Sequence, residues 1–327
     1  MKSNILKFIC GVGVVCCFWA CKNGDNDFPD YEGGTTVYFA HQYPVRTIVL
    51  GDDEYDTTLD KQHKCEIKAT FGGSYNGSNG TVSVAVDETL VNNLYFADGV
   101  TPVKAMPTAY YSLSTTDLAF KGTFYGTTEV SLTDAFFADP DAIKNTYVIP
   151  LVMTGQSGFD HILTGKPIGD TPGSRCNPAA WDVQPMDYVL YCVKYQNKYS
   201  GWWLTNHTMS TDSIEKAKQV QITTQTLNSS VYTVEYQDGG TIYKADLLLT
   251  FNGDNCTISS LTPGVTATGN GVFGDNTEKK AWGNKDRDGM ELHYTVTFDA
   301  THQWTTDEKL VWMRSGVVFE EFAPVYI

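Results

Sequence analysis

Four tryptophans lie in segments where they could recognise carbohydrate: Trp181, Trp202, Trp282 and Trp304. A flat ring packs against the C–H face of a sugar, while polar neighbours bond the sugar hydroxyls. Trp282 is followed closely by Asn284 and Asp286, and three of the rings lie in turn-rich segments. These four rings are the candidate glycan-stacking residues. The alternative for each ring is a packing role in the core.

Motifs for catalysis are almost absent. The six histidines form no His-x-x-x-His pair, and Gly155-Gln156-Ser157-Gly158 only approaches the nucleophile elbow of serine hydrolases. The sequence therefore predicts neither catalytic residues nor a cofactor. A glycoside hydrolase is a less favoured alternative, because it needs only two well-placed carboxylates and spacing cannot identify them.

Asn284, Asp286 and Asp288 resemble the start of a calcium loop. The twelfth position of such a loop is Thr295 rather than Glu, so we expect an Asp-Gly hairpin turn at Asp288-Gly289. Calcium binding by these three residues is the weaker alternative.

Residues 1–20 have the layout of a bacterial export signal. Lys2 and Lys7 precede an apolar run over 8–20, which is short for a membrane span, and Cys21 follows Ala20. This order is similar to a lipoprotein signal, in which Cys21 becomes the acylated N-terminus. An ordinary secretory signal peptide is the alternative. Residues 21–34 are polar and acidic, and they predict a tether between the lipid and the first strand.

The composition favours a globular protein with two domains. The chain has 327 residues, 42% of them hydrophobic, and a formal charge of −15. An acidic protein is a poor ligand for a polyanion, so we expect no nucleic-acid binding. Cys65, Cys176, Cys192 and Cys256 remain after the signal and Cys21. Their spacing names no disulfide pair and indicates no zinc site.

Short alternating segments with turn residues between them predict an all-β chain. Lys64–Phe71 and Thr81–Val86 have the period of two that a half-buried strand requires, and only residues 133–143 offer a short helix. The segments over 35–198 predict a β-sandwich. Those over 199–327 predict a second antiparallel domain.

Gly201-Trp202-Trp203 opens the second domain and is similar to the Gly-x-Trp signature of lipocalin-like barrels. In those barrels the tryptophan closes the base and a late arginine packs over it. The resemblance implies this role for Trp203 and a cation–π contact with Arg314. It also implies a ligand cavity inside the barrel. A second sandwich with a buried tryptophan is the alternative.

Several segments of the first domain resemble a domain of unknown function that begins many Bacteroidota surface lipoproteins. These are 36–40, 43–48, 86–87, 106–111 and 147–151. The same module precedes the catalytic barrel of some family-18 endoglycosidases, whose own barrel would need about 250 residues. Residues 199–327 resemble an uncharacterised C-terminal module of such lipoproteins.

The resemblance implies an immunoglobulin-like β-sandwich over 35–198 and an outer-membrane lipid anchor facing the cell exterior. It also implies a Sus-like polysaccharide-utilisation setting, with SusC/SusD-like surface proteins as partners. It supplies no catalytic residue. We therefore expect a non-catalytic surface lipoprotein that binds a glycan or oligosaccharide. The alternative is a structural or adhesion lipoprotein with a protein partner.

Overall fold

The computed structural model describes residues 29–209 and 216–327. The first part of the chain forms fourteen strands, several of them only two or three residues long. They are β1 (Thr36–Tyr38), β2 (Pro44–Val49), β3 (Lys64–Gly72), β4 (Thr81–Val86), β5 (Leu94–Tyr95), β6 (Lys104–Ala105), β7 (Tyr111–Leu113), β8 (Asp117–Ala119), β9 (Tyr125–Leu132), β10 (Tyr147–Ser157), β11 (His161–Ile162), β12 (Lys166–Pro167), β13 (Trp181–Val183) and β14 (Tyr188–Gln196).

Eight longer strands follow, and two short strands end the chain. They are β15 (Gly201–Met209), β16 (Lys216–Thr226), β17 (Ser229–Asp238), β18 (Thr241–Asn252), β19 (Asn255–Ser260), β20 (Thr266–Glu278), β21 (Arg287–Thr297), β22 (Gln303–Arg314), β23 (Glu320–Glu321) and β24 (Val325–Tyr326). The described helices are short: α1 (Thr58–Lys61), α2 (Asp134–Ala138) and the 3₁₀ turns Glu88–Val91, Pro178–Ala180 and Trp282–Asn284. Among the described residues, no helix is long and apolar enough to cross a membrane.

Two sheets form the sandwich. One has the order β11-β1-β3-β9-β7. The other has the order β23-β2-β14-β10-β4-β8, with β6 added beside β10. The alternation predicted for β3 is confirmed, since Cys65, Ile67, Ala69 and Phe71 face the core. Strand β10 is buried on both faces near its start, because a second apolar cluster that includes Phe322 covers the outer face of its sheet.

Strands β15 to β22 pair in sequence and close into a barrel. Closure depends on β20, whose glycines admit the neighbouring backbone. A Cβ atom at Gly269 would lie 2.3 Å from the carbonyl oxygen of His293. Side chains fill the interior, and Tyr236 stacks on Trp304 at a centroid distance of 4.8 Å. Inside, the Glu308 carboxylate accepts hydrogen bonds from the hydroxyls of Tyr232 and Tyr294 at 2.7 and 2.9 Å.

The predicted all-β, two-part architecture is confirmed, and the second part is the barrel rather than a second sandwich. The expected turn at Asp288-Gly289 is wrong, because both residues lie inside β21, where Gly289 pairs with Gly274. The chain turns earlier, over 279–286. The expected helix over 133–143 is reduced to α2, and the Thr133 hydroxyl donates to the carbonyl of Ala109 instead of capping it.

A buried asparagine, Asn197, joins the sandwich to the barrel. It lies between β14 and β15 and is 1% exposed. Its Nδ2 donates to the carbonyl oxygens of Thr226 and Ser229 at 2.8 and 2.9 Å. Its Oδ1 accepts from the amide of Tyr199 at 3.2 Å and from the hydroxyl of Ser200 at 2.8 Å. Since every polar atom of the amide is used, this residue fixes the direction in which the barrel leaves the sandwich.

Three carboxylates meet at a second contact between the domains. Asp52 follows β2 of the sandwich, whereas Asp275 and Asp288 belong to the barrel, and one oxygen of each lies within 4.8 Å of the others. Asp288 is 5% exposed and accepts a hydrogen bond from the amide of Asn276 at 2.9 Å. Lys61 pairs with Asp52. Burial, and then the neighbouring Asp275 and Asp52, raise the pKa of Asp288 to about 6.

The chain returns to the sandwich after the barrel. Strand β23 pairs with β2, and β24 pairs with β5. Glu320 anchors this C-terminal tail, because its carboxylate accepts from Lys194 at 2.8 Å and from Asn145 at 2.9 Å. Lys194 and then Asn145 lower the pKa of Glu320 against the raising effect of burial. The tail therefore completes the first domain with residues from the end of the chain.

We predict that Asn197→Ala lowers the free energy of unfolding by about 3 kcal/mol. The substitution would leave buried carbonyl and hydroxyl groups without a hydrogen-bond partner, and each unsatisfied group costs about 1–3 kcal/mol of stability. Urea titration followed by tryptophan fluorescence measures the change. The control is Asn252→Ala, at the exposed end of β18. An equal loss in both variants would contradict the role given to Asn197.

We predict that Asp288→Asn stabilises the protein at pH 7.5, by about 1–2 kcal/mol. The pKa of Asp288 is raised in the folded state, from 3.8 to about 6. Its ionised form therefore costs stability above about pH 6, and the cost disappears as the pH falls towards 4. Stability of the wild type should fall as the pH rises through this window, and the variant should lack this fall.

Chemical denaturation at pH 4.5 and pH 7.5, with a chelator present, measures this difference. Exposed Asp170→Asn is the matched control, because it removes one carboxylate elsewhere on the sandwich. If Asp288→Asn is destabilising at both pH values, the repulsion assigned to the three carboxylates is refuted.

Candidate functional site

Of the four candidate stacking residues, Trp282 keeps an open ring. It lies in the turn between β20 and β21 and is 43% exposed. Its polar neighbour Asp286 is already engaged, since it accepts from Lys279 Nζ at 2.9 Å and from the amide of Lys280 at 3.1 Å. Arg287 donates to the Trp282 carbonyl at 2.9 Å. Trp282 therefore offers an apolar face, but the nearby hydrogen-bonding groups are largely used within the turn.

Trp304 and Trp181 are buried, which corrects their prediction as stacking residues. Trp304 is 5% exposed, because its position in β22 turns the ring into the barrel against Tyr236. Trp181 packs in the sandwich, and its Nε1 donates to the carbonyl of Ser174 at 2.9 Å. Neither ring presents a face to solvent, so both are packing residues.

The expected contact of Arg314 with Trp203 is wrong. A register shift between Trp202 and Trp203 in the pairing of β15 with β22 places Arg314 opposite Trp202. The guanidinium carbon lies 5.5 Å from the centre of the Trp202 ring. Trp203 is fully buried, as the resemblance implied, and pairs with Trp312. Arg287 lies 5.4 Å from the Trp312 ring. Half-buried Trp202 is held between Arg314 and the backbone of Gly316 and is not an open platform.

The barrel has no lipocalin-like cavity among the described residues. Buried side chains such as Trp203, Leu247 and Phe273 fill its interior, and the gap beside Tyr232 and Tyr294 has a volume of only about 10 Å³. Burial, with Glu308 beside them, raises the pKa of both phenols far above the usual value. The interior is therefore a packed core around a hydrogen-bonded carboxylate. The prediction of a ligand cavity inside the barrel is wrong.

Asn284, Asp286 and Asp288 do not form a common site. Asp286 pairs with Lys279 at the turn, while Asp288 points to Asp275 and Asp52 at the domain contact. The carboxylates of Asp52, Asp275 and Asp288 could contact a cation, but calcium takes six to eight oxygen ligands and each of these residues offers one ligand atom. The calcium alternative is therefore wrong for the residues that the sequence suggested.

The four cysteines whose pairing the sequence left open are free thiols, and all are buried. Burial raises the pKa of Cys176 to about 11 and that of the other three to about 12. A protonated, buried thiol is a poor nucleophile. Cysteine chemistry therefore contributes nothing to the described surface.

Two concave surfaces border the C-terminal tail where it crosses the sandwich. The first hollow has a volume of about 380 Å³. It is lined by residues of β2, β3, β9 and β14, of the loop between β1 and β2, and of the tail. Among them are His41, Arg46, Glu66, Lys68, Tyr125 and Phe319. The second hollow is larger, about 910 Å³, and its lining includes His41, Tyr43, Cys176, Val183, Tyr188 and Glu321.

Two open aromatic rings border the first hollow. Phe319 is 69% exposed and Tyr125 is 57% exposed. The Phe319 ring contacts the His41 ring at a centroid distance of 5.0 Å, which holds an exposed side chain in one place. The floor is apolar, since buried Ile67 and Val189 lie beneath. The hollow thus combines ring faces with polar side chains at its rim.

The charged groups in the two hollows are paired. Lys68 Nζ lies 2.9 Å from Glu66, and His41 Nδ1 lies 2.9 Å from Glu321. Arg46 pairs with Asp60 at the base of α1. Arg46 and Asp60 therefore compensate each other at a largely buried position. The other two pairs stay near the solvent, where their outer atoms can still donate to or accept from a ligand.

A third hollow, of about 290 Å³, lies between the domains. Ser200, Thr224 and Glu320 are among its lining residues. The Thr224 hydroxyl donates to the hydroxyl of Ser200 at 2.9 Å, and it accepts from the backbone N–H of Asn197 at 3.0 Å. Since these groups hold the joint together, the third hollow is a weaker candidate for ligand binding than the first.

The sequence did not identify Phe319, Tyr125 and His41 as site residues. Phe319 ends the apolar run Val317-Val318-Phe319 between Gly316 and two glutamates, and this was a usable sign of an exposed loop. His41 and Tyr125 have no such sign. They meet Phe319 only because the tail returns across the sandwich.

Comparison with known proteins agrees with the two-part fold. A family model described as "-like, N-terminal domain" matches residues 31–160, and the model of a domain of unknown function, DUF5627, matches residues 193–316. None of the curated proteins matches the chain. A multidomain Bacteroides ovatus protein that includes DUF1735 is 10% identical, covering 86% of this chain and 96% of its own, with a TM-score of 0.38. That likeness is too distant to carry an argument.

A solved Bacteroides ovatus protein, described as a structural-genomics protein of unknown function, is much more similar. It is 37% identical, with a TM-score of 0.81, and the match covers 91% of this chain and 100% of that one. The chain belongs to the same family as this Bacteroides ovatus protein, with DUF5627 as its C-terminal domain.

Proposed function

We propose that this protein is a non-catalytic, surface-attached glycan-binding protein whose site is the first hollow. The observation that carries the proposal is the pair of exposed rings, Tyr125 and Phe319, that both line a hollow with polar groups at its rim. This is the combination that sugar recognition requires, because ring faces cover the C–H surfaces while polar atoms bond the hydroxyls.

The carboxylates favour binding over hydrolysis. A glycosidase needs two carboxyl groups facing one substrate bond, one of them free to donate a proton. Glu66 is the carboxylate that lines the first hollow, and it is held by Lys68 at 2.9 Å. Glu321 lines the second hollow and contacts His41. Each hollow thus presents one paired carboxylate.

Cell-surface attachment rests on the lipoprotein signal over residues 1–20, which directly precedes Cys21. Seven residues lie between Cys21 and Pro29, which are therefore eight residue steps apart. Fully extended, they would span at most about 28 Å. The chain then joins the sandwich, where the amide of Tyr31 donates to the carbonyl of Gly73 at 2.8 Å. Lipidation at Cys21 would therefore keep the sandwich near the outer membrane.

We predict that Phe319→Ala and Tyr125→Ala each weaken glycan binding by about tenfold, equivalent to about 1.4 kcal/mol. Both rings are exposed, so their loss should leave stability nearly unchanged. The soluble protein lacking the signal is screened on an array of plant and host glycans, and hits are measured by calorimetry. Trp282→Ala is the matched control, because it removes an exposed ring from the barrel.

If Phe319→Ala and Tyr125→Ala keep their affinity while Trp282→Ala loses it, the glycan site lies at the barrel turn instead of the first hollow. No binding to any glycan would contradict the proposed function. That result would favour a structural or adhesion role, since Val318 and Phe319 form an exposed apolar loop that a protein partner could cover.

We predict that Cys21→Ala abolishes fatty-acid incorporation and membrane retention in the native host. The acyl chains are attached at this position in a lipoprotein signal, and apolar chains provide the affinity for the bilayer. Metabolic labelling with an alkyne fatty acid and cell fractionation measure both effects. Cys17→Ala is the control, because it removes a neighbouring cysteine within the signal. Equal labelling of the two variants would contradict an anchor at Cys21.

A further inference from the structure

We infer that the two hollows form one continuous furrow that binds an extended stretch of an uncharged polysaccharide chain. The inference rests on the proposed glycan-binding function and adds the ligand's charge and length. It depends on how the hollows adjoin and on how their charged groups are paired.

The hollows meet at Ala40 and His41, which border both. The tail forms one side of each, through Phe319 in the first hollow and through Glu321 to Pro324 in the second. Strand β23 pairs with β2 and holds this side in place. A chain that lies against Phe319 can therefore continue past His41 along the tail, so the surface suits the interior of a polymer better than a single sugar.

The second hollow offers neutral hydrogen-bonding groups. The hydroxyls of Tyr43 and Tyr188 lie 2.5 Å apart, and the thiol of Cys176 borders the same space. Burial raises the pKa of both phenols far above the usual value, and it raises that of the thiol to about 11. These groups are uncharged at neutral pH. They therefore cannot neutralise a carboxylate or a sulfate.

No charged lining group of the furrow is uncompensated in the described structure. The cations Arg46 and Lys68 have carboxylate partners, and His41 contacts Glu321. The chain as a whole carries a formal charge of −15, which repels polyanions at longer range. An acidic polysaccharide would be repelled, and no unpaired cation in the furrow would offset the repulsion. A neutral chain would not be repelled and would need no such cation.

The test compares disaccharides with hexasaccharides of the cello-, xylo-, manno- and malto- series by calorimetry, with polygalacturonate and heparin as acidic probes. For the series that binds, we expect the hexasaccharide to bind about tenfold more tightly than the disaccharide. Ala323→Trp places a bulky ring at the exposed edge of the second hollow. It should reduce hexasaccharide affinity to the disaccharide level and leave disaccharide affinity unchanged. Ala323→Ser is the small-residue control.

The outcomes separate this inference from the proposed function. Equal affinity for both lengths, with binding still lost in Phe319→Ala, would overturn the continuous furrow and leave a single-hollow glycan site. Phe319-dependent binding of polygalacturonate or heparin would overturn the selectivity for uncharged chains. Absence of binding to every probe and to the glycan array would remove the proposed function and this inference together.

Discussion

The buried amide of Asn197 is the contact on which the arrangement of the molecule depends. It bonds both the start of the barrel and the hairpin between β16 and β17, so it sets the barrel's direction as the chain leaves the sandwich. A closed barrel of eight strands brings its last strand back beside its first. The chain therefore leaves the barrel at Arg314, next to the point where it entered, and the tail starts close to the sandwich.

This return explains why a feature of the first domain is built from the last residues of the chain. Glu320 is held by Lys194 and Asn145, which places Phe319 on one side and Phe322 on the other. Phe322 enters the apolar cluster on the outer face of the second sheet, while Phe319 stays open against His41. The tail is thus anchored by a buried ring and presents an exposed one. The barrel contributes to the furrow indirectly, because its closure places the start of the tail beside the sandwich.

The sequence predicted the strands whose side chains alternate, and it failed where contacts between distant segments decide the structure. Strand β20 gives a weak strand signal, because its glycines, among them Gly269, lower strand propensity and are explained only by the closeness of β21. Strands β23 and β24 have two residues each, too few for a periodic signal. Trp282 and Trp304 both lie in polar segments rich in turn residues, yet the second is buried because it faces inward in β22. The partners of Asp288 come partly from the other domain.

The same dependence on distant contacts makes the furrow's electrostatics informative. Two of its three ion pairs join different segments: Glu321 of the tail lies against His41, and Asp60 of α1 lies against Arg46. The third, Lys68 with Glu66, lies within β3. Ion pairs near the surface contribute little to stability, so their value for folding alone is small. Their effect on recognition is larger, because they remove the fixed positive charge that would attract anions to an otherwise accessible surface. What remains in the furrow is ring faces, hydroxyls and paired charges, which together favour a polar but uncharged ligand over an ionic one.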